Sequence, residues 1–284
     1  MFSIARAILT SRPLFLARNP SVPPLLAPLL AKRTMSSTVA KRLEGKTIVI
    51  TGASSGIGRS CAFEFARTQP HNLRLILIAR RIDSLREVAA KIRESIGTGV
   101  KVLPFQLDVS NPDEVRSFVG NLPEEWRDID VLVNNAFVSP FSHSSEPKLT
   151  ASLQGLGQGR YVASRICFST SLAHMTLAVA KAPEIAEEDI EVMFRTNVTG
   201  LINMTQAILP IFKTRPDGGA GDIINIGSIA GREPYPGGSI YCATKAAVRS
   251  FTESLRKEHI ATRIRIMEVD PGQVETVSLP LSRL

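Results

Sequence analysis

Tyr241 stands four residues before Lys245, and Ser228 lies thirteen residues upstream of the tyrosine. Positions i and i+4 share a helix face, so this spacing puts a phenol beside an ammonium. A phenol titrates near ~10, and a neighbouring cation that favours its ionised form would bring it into the range of a working acid or base. The Ser228 hydroxyl is placed to hydrogen-bond an oxygen on which charge develops. Far behind these residues, Thr51-Gly52-Ala53-Ser54-Ser55-Gly56-Ile57-Gly58 forms a glycine-rich turn. A turn of this kind lets backbone amides approach a pyrophosphate at the start of a helix. Together they point to proton and hydride transfer on an alcohol or carbonyl. Each alone is weak: the tyrosine–lysine spacing occurs on many surface helices, and a glycine turn is often only a turn.

Elements must hold these groups, and the chain supplies them. From Lys46 onward, apolar runs at Thr47 to Ile50, Leu73 to Ala79, Val100 to Leu107, Val131 to Val133, Ile223 to Ile226 and Ile264 to Val269 read as strands. Helical patterns lie between them at Arg59 to Arg67, Ser84 to Ile96, Glu187 to Lys213 and Tyr241 to His259. Near-continuously apolar strands separated by helices predict an α/β fold, a doubly wound and mostly parallel Rossmann-like sheet in one domain. The glycine turn joins the first strand to the first helix, where a dinucleotide fold binds its pyrophosphate. No Gly-Lys-Ser/Thr follows it, which disfavours a triphosphate-hydrolysing loop.

The second strand ends in Ala79-Arg80-Arg81, where an NAD enzyme places an acid for the adenosine ribose. Two guanidiniums suit a 2′-phosphate, so the expected cofactor is NADP; the plain alternative is a pair of solvated helix-leader charges. Asp108 closes the third strand and has two readings, an acceptor for the adenine amino group or a turn cap before Asn111-Pro112.

Charge narrows the partners. The formal charge is +8, of which residues 1–43 hold seven (Arg6, Arg12, Arg18, Lys32, Arg33, Lys41, Arg42) with no acid, and eight less seven leaves one for the remainder. A nearly neutral domain removes the compositional case for a nucleic-acid partner. The basic, acid-free first 43 residues read as a mitochondrial presequence, or as a disordered tail, with Pro20, Pro23, Pro24 and Pro28 ending any helix. Initiation at Met35 would instead leave a cytoplasmic form. No apolar run reaches the ~20 residues needed to span a bilayer. The three cysteines, Cys61, Cys167 and Cys242, show no metal-ligand spacing, and His143 and His174 read as loop residues, so no metal is expected.

Taken in order, Thr51 to Gly58, Asp108-Val109, Asn134-Asn135-Ala136, Asn197, Ser228, Tyr241-Cys242-Ala243-Thr244-Lys245 and Pro271-Gly272 resemble the motifs of the short-chain dehydrogenase/reductases, over roughly residues 44–136 and 177–277. Within that superfamily, Ile223 to Gly231 and Pro234 to Gly238 look most like the NADP-dependent 3-hydroxy acid dehydrogenases that act on serine and related acids. The resemblance implies that Tyr241 is the acid/base and that Lys245 lowers its pKa and binds the nicotinamide ribose. It implies that Ser228 orients the substrate oxygen and that Asn197 holds a water relaying protons to Lys245. Gly52, Ser54, Ser55, Gly56, Ile57 and Gly58 would carry the pyrophosphate, with Arg80, Arg81, Asp108, Val109, Asn135 and Ala136 on the adenosine side. Pro271, Gly272, Val274 and Thr276 would flank the nicotinamide. The implied partner is a small hydroxy acid or carbonyl substrate, and the implied assembly a homotetramer.

Two departures stand out. The family expects a glycine after Ala136, yet Phe137 follows, and a serine-rich insertion of about residues 137–176 precedes the next family-like run. The chain then stops at Leu284, short of the family's substrate-covering helices and last strand. Three functions follow: a hydroxy-acid dehydrogenase, another carbonyl or 3-oxoacyl reductase with the same apparatus, or an inert isoform.

Overall fold

A computed structural model describes residues 38–138, 184–272 and 274. Six strands, β1 (Thr47–Thr51), β2 (Leu73–Ala79), β3 (Val100–Gln106), β4 (Val131–Asn134), β5 (Ala220–Ile226) and β6 (Arg263–Val269), form one sheet in the order β3-β2-β1-β4-β5-β6. Every pairing is parallel. The predicted doubly wound architecture is therefore present. The strand order reverses between β1 and β4, and that is where such sheets open a crevice at their carboxyl ends.

The alternation of each strand feeds two cores. Val49, Ile76, Ile78, Leu132 and Ile223 pack into one face, while Ile48, Ile50, Leu75, Leu77, Val131 and Val133 pack into the other. Successive side chains point to opposite faces, so both layers grow from the same apolar runs. Burying each such side chain contributes roughly 1.5–3 kcal/mol, which fixes the sheet before any polar contact is counted.

Among the described residues, the helices that follow β1 are α1 (Gly56–Thr68), α2 (Ile82–Ile96), α3 (Pro112–Ser117), α4 (Glu187–Phe194), α5 (Leu201–Lys213) and α6 (Ser239–Glu258). Asn111 caps α3, its side chain accepting from the Asp113 amide. The expected single helix from Glu187 to Lys213 is interrupted: Arg195–Gly200 forms a π-helical segment between α4 and α5. Its apolar pattern continues without a break, so the pattern could not reveal the widened turn. Such segments widen a helix by one residue per turn and gather at functional positions; this one carries Asn197. Residues 38–43, assigned above to the presequence or tail, are helical here. Gln69 Nε2 donates to the Ala40 carbonyl at 2.8 Å, and Leu43 packs against the core. The bulk of the expected insertion, from residue 139 to 176, lies outside the described residues.

Candidate active site

The carboxyl ends of β1, β2 and β4 hand over directly to Gly52, Arg80 and Asn135, and those of β5 and β6 reach Ser228 and Pro271 two residues on. A parallel sheet makes this convergence unavoidable, because every strand ends at the same edge.

The glycine turn is built on Asn135. Its Nδ2 donates to the carbonyls of Thr51 at 2.9 Å and Gly52 at 3.2 Å, while Thr51 Oγ1 accepts from the amides of Asn135 and Ala136, each at 2.9 Å. Gly52 has φ +65°, and a Cβ there would lie 2.8 Å from Asn135 Nδ2 and the Ala136 Cα. A Cβ at Gly58 would collide with Asn135 Nδ2 and the Gly52 carbonyl. These glycines are required by the approach of β4's end to the turn. Ser55 begins α1 without a side-chain cap, and the first turn holds no acid. Helix-start N–H groups and the positive end of the dipole thus face the turn formed with Ser54, Gly56 and Ile57.

Arg80 and Arg81 are exposed, and neither guanidinium has an ion-pair partner among the described residues. Asp108 Oδ1 accepts from the Ser110 amide at 2.9 Å and the Ser110 hydroxyl at 2.8 Å, in the turn that leads to α3. Val109 is buried in the core behind it.

On the other side of the switch point, α6 carries Tyr241 and Lys245 on one face. Lys245 is 3% exposed. Its Nζ donates to the Ile226 carbonyl at 2.8 Å and lies 5.8 Å from the Tyr241 ring centre. Burial lowers its pKa to about 8, against the pull of Asp270 and Glu268, which favour the charged form. Burial also acts on Tyr241, and it raises the phenol above its ordinary value. The Ser228 hydroxyl, through its hydrogen bond, works in the opposite direction. The expectation of a phenol held down by its lysine is not met in this arrangement. Loss of water around Tyr241 outweighs the hydrogen bond, and the ammonium is turned to the Ile226 carbonyl.

Ser228 sits two residues beyond β5, where its Oγ also accepts from the Ala230 amide at 3.2 Å. The Pro271 carbonyl accepts from the Ile229 amide at 3.1 Å and ties the end of β6 to this turn. Gly272 and Val274 follow at the surface, and Thr276 lies outside the described residues. Asn197 is buried, and both ends of its amide engage Val138: Oδ1 accepts from the Val138 N–H at 2.8 Å and Nδ2 donates to its carbonyl at 2.9 Å. Nδ2 also reaches Thr244 Oγ1 at 3.2 Å, one residue before Lys245.

Sequence reasoning missed two groups here. One is a buried polar ladder: Asn134 Nδ2 donates to Thr205 Oγ1 and Asn225 Oδ1, both at 3.0 Å, and Asn225 Nδ2 donates to Thr252 Oγ1 at 2.9 Å. It pins β4 and β5 to α5 and α6 under the site. Asn134, in the Asn134-Asn135-Ala136 motif, and the polar residue embedded in Ile-Ile-Asn-Ile of β5 were its signals, but nothing local showed that they meet. The other is the acid pair of β6's end. Glu268 is pushed up to about 7, first by burial and then by Asp270, with Arg232 and Arg249 opposing. Arg232 meets Asp270 Oδ2 at 2.8 Å. Among the described residues no cluster of histidine, cysteine or acid side chains could hold a metal ion, and no helix is long and apolar enough to cross a membrane. Cys242 is buried, and burial lifts the Cys61 thiol to about 11, so neither reads as a nucleophile.

The sequence profile of the short chain dehydrogenases matches residues 46–157 and 173–281. This chain belongs to the short chain dehydrogenase family. It is an oxidoreductase by that membership. A relative from Schizosaccharomyces pombe (strain 972 / ATCC 24843), an NADP-dependent 3-hydroxy acid dehydrogenase, is 44% identical over 83% of this chain and 74% of its own length. Sulfoacetaldehyde reductase 2 of Chromohalobacter salexigens is 35% identical over 81% and 73%. Among solved structures, the closed form of a serine dehydrogenase complexed with NADP+ superposes with a TM-score of 0.59 at 33% identity, covering 81% of this chain and 73% of that one. The profile match breaks only over 158–172 within its span, a narrower interval than the 137–176 read from the sequence.

Proposed function

We propose that this chain is an NADP-dependent oxidoreductase that oxidises a small 3-hydroxy acid, serine among the candidates, with Tyr241 taking the hydroxyl proton. The observation that carries the reading is the convergence of the glycine turn and the Ser228–Tyr241–Lys245 group on one edge of the sheet, on either side of the β1/β4 reversal.

The donor set fits a dinucleotide. Uncapped N–H groups and the dipole at the start of α1 suit a pyrophosphate. Two exposed arginines without ion-pair partners among the described residues suit a further phosphate on the adenosine ribose. The buried Asn135 Oδ1 has no hydrogen-bond partner among the described residues, leaving an acceptor over at the switch point. NADP+ would supply the hydride acceptor.

The chain's own residues would do the rest. Ser228 donates to the substrate oxygen and positions it. Tyr241 Oη accepts the proton as the alcohol becomes a carbonyl, or returns it in the reverse direction. The ammonium of Lys245, largely protonated below its pKa of about 8, compensates the phenolate that this requires. A ribose hydroxyl accepting from Lys245 would draw the ammonium from the Ile226 carbonyl toward the phenol, which supplies the depression of the Tyr241 pKa that burial alone opposes.

A second reading is a carbonyl reductase using the same groups, favoured by the likeness to sulfoacetaldehyde reductase 2. Following NADPH absorbance with the purified chain on serine, 3-hydroxyisobutyrate, 3-hydroxypropionate and small aldehydes separates the two. Turnover of the hydroxy acids that Tyr241→Phe abolishes is the expected result. Activity that survives Tyr241→Phe contradicts the proton role, and absence of both turnover and nucleotide binding identifies an inert isoform. A mitochondrial location and a homotetramer belong to the same proposal, as extensions of the basic N-terminus and the family likeness.

A further inference from the structure

Lys245 is enclosed by protein on nearly every side, and Phe137 closes one of them. The ammonium donates to the Ile226 carbonyl at 2.8 Å, and the ring of Phe137 lies over it, with Nζ 4.8 Å from the ring centre. Lys245 is 3% exposed, but Phe137 is 39% exposed. The aromatic face is thus the layer between the buried ammonium and solvent, and it attracts the cation it covers.

The backbone around this ring is fixed. On one side the Ala136 amide donates to Thr51 Oγ1 at 2.9 Å. On the other, the Val138 N–H and carbonyl are both held by the Asn197 amide, at 2.8 and 2.9 Å. The ring cannot leave Lys245 by a shift of its chain without breaking those bonds, at a cost of roughly 1 kcal/mol or more each. Its half-exposed side chain can leave by rotation about its own bonds.

We propose that Phe137 is a cover on Lys245 that a bound nucleotide must displace, so that this side chain lowers the affinity of the site for NADP(H). The inference rests on the reading that Lys245 receives the nicotinamide ribose. With the ring 4.8 Å from Nζ, a ribose hydroxyl accepting from the ammonium would compete with it for the same cation, so binding is expected to break the cation–π contact. A glycine at this position would leave the ammonium open. An aromatic residue makes access depend on one side-chain rotation.

The test uses the full chain with Phe137→Gly, Phe137→Leu and Phe137→Tyr, and has two readouts. Without nucleotide, the rate of Lys245 acetylation by an amine-reactive acetyl ester is followed by peptide mass spectrometry. It should rise several-fold in Phe137→Gly and Phe137→Leu and stay near the parent rate in Phe137→Tyr, which keeps the ring. NADPH affinity, read by fluorescence titration, should tighten about threefold to thirtyfold in Phe137→Gly, the range a cation–π contact spans. In a Lys245→Met background the same change should give little tightening. An unchanged acetylation rate in both Gly and Leu variants would overturn the cover. Faster acetylation with unchanged or weaker NADPH binding would overturn the competition. If no form binds NADPH while acetylation is faster, the functional reading fails and the competition with it, leaving only the contact between ring and ammonium.

Discussion

The two halves of the site are made of different material. Around β1, β2 and α1, the pieces are backbone amides, glycines and a buried asparagine brace, whose geometry is fixed by packing and does not titrate. Around β5, β6 and α6, the pieces are Tyr241, Lys245 and Glu268, whose pKa values burial and neighbouring side chains displace. The first half is held in place by its own packing and hydrogen bonds. The second is poised: its lysine is bound to a carbonyl and covered by a ring, and burial raises the pKa of its phenol. Binding at the first half is what would rearrange the second.

This contrast predicts that changes on the two sides fail differently. The largest effect is on the reactive side: Tyr241→Phe should lower kcat by about 10²–10⁴ while NADPH titration stays within about twofold, because the phenyl ring keeps the packing. A matching loss of NADPH affinity would erase the distinction between the halves. On the nucleotide side, Gly58→Ala places a Cβ against Asn135 Nδ2 and the Gly52 carbonyl. It should cost about 1–3 kcal/mol of stability, read as a lowered denaturant midpoint, together with weaker NADPH binding. Unchanged stability would mean that the turn yields and is not a rigid cradle.

Arg80→Glu with Arg81→Glu should weaken NADPH about tenfold or more relative to NADH, since two charge-assisted bonds become repulsions. Equal losses for both nucleotides would return the arginines to plain solvated charges.

How much of this was legible in the sequence follows from the range of each signal. The strands and the glycine turn were readable because periodicity and turn chemistry act over a few neighbours; Leu73 to Ala79 was bounded to the residue. Asn197 was visible as a motif residue, but its pairing with Val138 joins positions 59 apart. Its π-helical setting is hidden in an unbroken helical pattern. Phe137 stood out as a departure from a glycine, but nothing local places it on Lys245. The direction of the Tyr241 shift was misjudged because the spacing reveals the cation but not the loss of water around the ring.

The smallest effect sharpens the reactive half alone. Glu268 titrates near 7 in the fold, above the ordinary 4.5. The unfolded chain therefore releases this proton first as pH rises. The stability it contributes is fully present below about 4.5 and is lost as pH climbs through about 7. Lys245 has the opposite sign: its lowered pKa gives a contribution present above about 10.5 and lost as pH falls through about 8. Denaturant midpoints measured across this range should show a decline between about 4.5 and 7 that Glu268→Gln flattens. A decline of the same slope in the variant would remove Glu268 from its cause.

The central claim is that one sheet edge brings a nucleotide seat and a proton-transferring phenol together. The structure of the chain bound to NADP+ tests it most directly. The account predicts the pyrophosphate on the amides between Ser54 and Gly58, the nicotinamide beside Tyr241 Oη, and Lys245 turned from the Ile226 carbonyl to the ribose with Phe137 rotated away. A nucleotide bound at another face, or a nicotinamide out of reach of the Tyr241 hydroxyl, would contradict it.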